Sequence, residues 1–215
     1  MPRSSGYIAG PLPALAPVLR KWIRVNEEYF DRCMGEDAAW WFNERASLST
    51  LAAAAWLAGG IALEEYTTAK SKRGGSVNKN CRCDLFVSLR NRVKGKNDHE
   101  FVIEAKIVWP RLASRSLADQ IERGNEKARK DVRRTLPYGG SSRVGLLIVS
   151  PYMRRSEADR WERDQSQFVE FVRASAEEYA VAWIFAKNGK GPLSERNDHY
   201  YPGTAIFLRP LRKST

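Results

Sequence analysis

Cysteine and histidine are scarce in this sequence: its 215 residues include three of the first and two of the second. So few thiols (Cys33, Cys81, Cys83), odd in number, make no disulfide framework and suit a reducing cytoplasm. The imidazoles, His99 and His199, lack metal-type spacing, and a zinc site would need further ligands. Each histidine is expected at a strand end or in a loop, and Cys81 and Cys83 in the core beside Leu85 and Val87. Acid is also in short supply. Asp and Glu total 25 against 36 Lys and Arg, a net charge of +11 with a pI of about 9.8. That balance favours an anionic partner such as nucleic acid. No apolar run approaches the roughly 20 residues that span a bilayer. The opening MPRSSGYIAGPLPALAPVL imitates a signal peptide only loosely, because Pro11, Pro13 and Pro17 interrupt it and an amphipathic helix follows. A cytoplasmic protein with no membrane partner is expected.

What is present is a packable chain. Hydrophobic residues make up 43% of it, which is ordinary for a globular core, and the length suits one domain over 1–215. Leu15, Leu19, Trp22, Ile23 and Phe30 predict a helix over 15–33. A second, Ala-rich helix is predicted from Glu36 to about Ala58, ended by Gly59-Gly60. IALEEYTTAK (61–70) reads as a strand, SKRGGSVNKN (71–80) as a loop, and CRCDLFVSL (81–89) as a strand with odd-numbered residues inward. KGKND turns the chain into FVIEAKIVWP (101–110), a third strand stopped by Pro110. A basic helix over 114–136 buries Leu117, Ile121, Ala128 and Val132, and VGLLIVS (144–150) is a buried strand. A polar helix from about Ser156, with Asp159 in a capping box, runs to Glu178. Its apolar stripe of Trp161, Phe168 and Val172 suits either the sheet or a dimer contact. Strands at 180–187 and 204–210 close an α/β fold whose mixed central sheet is flanked by helices.

The third strand poses a chemical question. Glu104 and Lys106 point the same way from an apolar strand, which is costly unless that face lines a solvated cleft. Asp84 points away from the core of the preceding strand, so the hairpin brings it near Glu104. One or two carboxylates of this kind, with water and phosphate oxygens, suit Mg²⁺. Glu44 follows the inward stripe of Trp41, Leu48, Leu51 and Ala55, where an acid is uncommon without a partner. Taken alone, Glu44 reads as a helix-boundary acid paired with Arg45 or another surface base; with Asp84 and Glu104 downstream it reads instead as a third acid of the same group.

Glu44 on a helix, Asp84 on a strand and Glu104-Ala105-Lys106 on the next resemble the PD-(D/E)XK nuclease superfamily. The αβββαβ order over about 36–150 resembles its restriction-endonuclease-like core, with the 15–33 helix and residues 151–215 as additions. Cys83 precedes Asp84 where the motif's name has proline, and Gly124 stands four residues after Gln120 where some relatives carry tyrosine. The resemblance implies a metal-dependent nuclease, a deoxyribonuclease, using Mg²⁺ with Mn²⁺ as a substitute. It makes Glu44, Asp84, Glu104 and Lys106 catalytic, and assigns the metal to Asp84, Glu104, the Ala105 carbonyl and Glu44. It further implies a homodimer. Lys70, Lys72, Arg73, Lys79 and Arg82 before and on the Asp84 strand, and Arg111, Arg115, Gln120, Arg123 and Lys127 after Lys106, are the expected nucleic-acid contacts. Phosphate contacts of this sort supply affinity rather than sequence preference. Two other readings stay open at this point. One is a non-catalytic nucleic-acid-binding or assembly module that keeps the fold. The other is an unrelated α/β protein in which Glu104 and Lys106 form a surface ion pair.

Overall fold

The computed structural model describes residues 4–71, 76–91, 93–136, 139–187 and 189–211. A short strand β1 (Ser5–Ile8) leads into helix α1 (Ala16–Arg32). Leu19, Trp22, Ile23 and Phe30 recur at helical spacing, and all four are buried. Pro17 falls in the first turn of α1, where no intrahelical donor is lost.

Helix α2 (Glu44–Leu57) begins at Glu44, not Glu36. The correction has a local cause. Asp37 accepts hydrogen bonds from the Ala38 N–H and from Trp41 Nε1, both at 2.7 Å, and Asn43 accepts one from the Ala46 N–H at 2.9 Å. Such side-chain bonds compete with helix over 37–41 and then cap it at Asn43. Trp41 therefore lies outside α2, and Glu44 stands in its first turn, where the helix dipole favours a carboxylate. Trp22 Nε1 donates to Thr50 at 3.0 Å and ties α1 to α2.

Strands β2 (Ile61–Ser71), β3 (Val77–Leu89) and β4 (His99–Val108) follow, then helix α3 (Leu117–Arg134) and strand β5 (Ser142–Val149). The segment read as a loop is strand at both of its ends, since Lys70 and Ser71 pair with Asn78 and Val77. A backbone ladder needs N–H and C=O groups, and polar side chains do not prevent it. Beyond β6 (Met153–Arg154), the helix predicted over 156–178 is interrupted. Helix α4 covers only Trp161–Ala174, between 3₁₀ turns at Arg155–Arg160 and Ser175–Glu177. Glu157, rather than Asp159, reaches back to the chain, accepting from the Arg154 N–H at 3.1 Å. Strands β7 (Ala180–Phe185), β8 (Leu193–Ser194), β9 (His199–Tyr200) and β10 (Gly203–Pro210) come last. The sequence carries no sign of β1, β6, β8 and β9, because two to four residues are too few to show a period.

The central sheet runs β1-β7-β10-β5-β4-β3-β2. Every neighbouring pair is antiparallel except β4 and β5, which are parallel and joined through α3. Helices α1 and α2 cover one face, packing Leu19, Trp22, Leu51 and Ala55 against Leu85, Ile103, Leu146 and Ile206. Helices α3 and α4 cover the other, where Ile121, Phe168 and Val172 meet Leu147, Val181 and Phe207. Phe168 and Val172 of the α4 stripe thus pack on the sheet, whereas Trp161 is half-buried outside that core. Among the described residues no helix is long and apolar enough to cross a membrane.

Two glycines set how closely α3 sits. A Cβ on Gly124 would lie 2.7 Å from Leu147 Cδ1 and 3.2 Å from Val108 Cγ1. One on Gly145 of β5 would lie 3.4 Å from the α3 backbone at Ala128 and Arg129. Tyrosine has no room at 124. The close approach brings the carboxy-terminal half of α3 down on β4.

Candidate active site at the end of the β3–β4 ladder

β3 and β4 pair only over Leu85–Leu89 and His99–Ile103. Past Ile103 the odd-numbered N–H groups of β4 still point toward β3, but among the described residues no strand pairs with them there. Buried backbone donors must be satisfied, and here a carboxylate takes the work of a strand. Asp84 Oδ2 accepts from the Ala105 N–H at 2.7 Å, and the Glu44 carboxylate lies near the Ile107 N–H, next along the same edge. On the same edge the Cys83 thiol donates to the Ile103 carbonyl at 3.3 Å. Burial pushes that thiol up to about 11, with Glu104 adding to the shift. Asp84 and Glu44 therefore meet at one gap in the sheet, one from a strand and one from a helix amino terminus.

Even-numbered residues of β4 face α3, so Glu104 and Lys106 lie on the α3 side. They do not pair with each other. Lys106 Nζ lies 2.9 Å from Asp131 of α3 and donates to the Ala105 carbonyl at 2.8 Å. Burial works against the Lys106 ammonium, but Asp131, Glu44 and Asp84 outweigh it and raise its pKa. Glu104 accepts from Lys70 Nζ at 2.7 Å and from the Thr135 hydroxyl at 2.6 Å. Its pKa is raised, chiefly by burial, with Lys70 and Thr135 pulling the other way and Asp84 adding to the rise. Glu44 is likewise raised by burial, opposed by Lys106 and reinforced by Asp84. The sequence does not point to Asp131 or to Thr135, because nothing local connects the last turn of α3 and the residue that follows it to β4.

A cavity beside the gap is lined by Glu44, Asp84, Glu64, Glu65, Arg45 and Ser49. Glu65 adopts a left-handed backbone, φ 49°, within β2, a conformation that costs a non-glycine residue about 1–3 kcal/mol. Its carboxylate meets Arg45 at 2.6 Å and Arg82 at 3.0 Å. Arg45 is thus bonded to Glu65 and leaves Glu44 to the gap.

The predicted phosphate-binding groups separate. Lys70 is at the site, bound to Glu104, and Arg82 is bound to Glu65. Arg111 is drawn to the buried Glu157, its Nε donating at 3.1 Å, so it braces the turn before α4. Gln120 donates to Ser116 at 3.0 Å. Arg115, Arg123 and Lys127 are exposed. At helical spacing Gln120, Arg123, Lys127 and Asp131 form one stripe along α3 that ends at Lys106. Lys72 and Arg73 lie outside the described residues, and Lys79 is placed only as part of β3. Among the described residues, no three acidic, histidine or cysteine side chains converge as a ready-made metal group.

No family model, curated protein or solved structure matches the chain.

Proposed function

We propose that the protein is a metal-dependent phosphodiester hydrolase acting on nucleic acid, with DNA as its first candidate substrate. The observation that carries this is the gap where the β3–β4 ladder ends. There Asp84 and Glu44 occupy the edge of β4, and the Lys106 ammonium lies close enough to influence Glu44. The element order α2-β2-β3-β4-α3-β5, with β4 and β5 parallel, supports a restriction-endonuclease-like core. A net charge of +11 and the exposed Arg123 and Lys127 on α3 support a polyanionic substrate.

The donor set fits a hard divalent ion such as Mg²⁺. It offers carboxylate and carbonyl oxygens, and the Lys70 ammonium already stands as a cation against Glu104. Mg²⁺ needs only one or two carboxylates, with water and phosphate oxygens filling its shell. Asp84, Glu104 and the Ala105 carbonyl would hold it, with Glu44 alongside; when bound it supplies charge neutralisation at the phosphate and an activated water. Lys106, kept protonated by its three acidic neighbours, serves as a fixed cation for the charge that develops on the phosphate rather than as a base. Glu44, whose affinity for a proton exceeds that of a free carboxylate, is suited to accept one from an attacking water.

Purified protein incubated with supercoiled plasmid and with a labelled single strand, under Mg²⁺, Mn²⁺ or EDTA, tests the reading. Cutting is expected with metal alone, and Asp84→Asn and Lys106→Met should each reduce it by about 10²–10³-fold. Cutting that survives both substitutions would refute the site. Binding without cutting would favour the non-catalytic module.

A further inference from the structure

Lys70 binds Glu104 more closely than a passing surface contact would. Its Nζ lies 2.7 Å from Glu104 Oε2 and 2.7 Å from Oε1, so one ammonium bridges both oxygens. The pair is enclosed: 18% of the Lys70 side chain and 3% of the Glu104 side chain remain exposed. Its position is built into the backbone. β2 breaks register between Thr68 and Lys70 and turns onto the end of α3. There Lys70 bridges to Thr135 and the Leu136 N–H donates to the Ala69 carbonyl at 3.0 Å. Thr135 also donates to Glu104 Oε1. The bulge in β2 thus delivers a cation, and the end of α3 a hydroxyl, to one buried carboxylate.

A buried carboxylate without a countercharge is strongly disfavoured, and an ammonium that already bridges both oxygens of an enclosed carboxylate repels a second cation approaching the same face. We propose that Lys70 is the resident counter-cation of the site, occupying the face of Glu104 that a divalent ion takes, so that the ion enters only as Lys70 leaves. Lys70 is then freed beside the bound ion as a positive group for a substrate phosphate. This rests on the hydrolase reading and adds a residue that sets the ion's apparent affinity. A site whose competent form is a minor population binds more weakly by that fraction.

Calorimetric titration of Mg²⁺ and of Mn²⁺ into the folded protein, without nucleic acid, measures it directly. Wild type should bind weakly, Lys70→Met at least about tenfold more tightly, Lys70→Arg near wild type, and Glu104→Gln hardly at all. Affinity unchanged or weakened in a folded Lys70→Met protein would overturn the inference while leaving the hydrolase reading standing. If no protein in the series binds metal and wild type does not cut, both fall together. Should Lys70→Met fail to fold, the Lys70 ammonium resonance of wild type decides by NMR. Saturation with Mg²⁺ should abolish its protection from exchange, and a protected resonance in the metal-bound protein would overturn the proposal.

Discussion

At the β7–β10–β5 end of the central sheet, Ala180–Phe185, Gly203–Leu208 and Val144–Val149 are buried without exception, packed from both faces. At the β2–β3 end Ile61, Leu63 and Val77 are exposed, and the ladder to β4 stops at Ile103. The first end draws its stability from apolar close packing, which is non-directional and sensitive to volume. The second leaves backbone donors for carboxylates to satisfy and gathers acids, where burial, reinforced by Asp84, raises the proton affinity of Glu44 and Glu104. β4 belongs to both: Ile103 and Ala105 face the α1–α2 core, whereas Glu104 and Lys106 face α3. A rigid apolar half can hold such a charged half in position, because sites placed on packed strands are kept to a narrow geometry.

The sharpest way to break this contrast is to open the dry end. Phe207→Ala removes a fully buried ring of β10 and should cost about 3–5 kcal/mol in chemical denaturation. Lys106 and Asp131 should stay paired, so the proposed cutting activity per folded molecule should be little changed. Parallel losses of activity and stability would show that the two ends are one cooperative unit.

Gly124→Ala probes the joint between them. Its Cβ would press on Leu147 and Val108, for about 1–3 kcal/mol of stability. By lifting α3 it should also weaken the Lys106–Asp131 contact. Activity is expected to fall more than the stability loss explains, and an unaffected rate would show that the distance of α3 from β4 does not govern the site.

A smaller effect sharpens the charged end. Glu44 holds its proton more tightly folded than unfolded, so between those two pKa values the folded state carries more protons. The stability from that excess is complete below the unfolded carboxylate range and disappears as pH rises through the raised folded value. Glu44→Gln should flatten this part of the stability–pH profile measured by denaturant titration from pH 4 to 7. An unchanged slope would assign the dependence to Glu104 instead.

Much of this was legible in the chain. The helical spacing of Leu19, Trp22 and Phe30, the alternation of Cys83, Leu85 and Val87, and the turn at KGKND each report a local preference that packing reinforces. Glu104 and Lys106 could be placed on one face of a strand by counting. Less legible were the boundaries, where Asp37 replaces helix with side-chain bonds and Asn43 caps the start of α2, and the short strands such as β1.

Sequence by itself determined which residues are apolar and at what period, and therefore the element order, the buried faces and the strand that carries the charges. Only the tertiary structure decided what each charge meets: Glu104 takes Lys70 and Thr135, Lys106 takes Asp131, and Asp84 takes a backbone N–H in place of a strand. Periodicity is a property of neighbours along the chain. Partnership depends on strand register, on where a ladder stops and on how close two glycines let a helix approach, and those are settled when distant segments pack together.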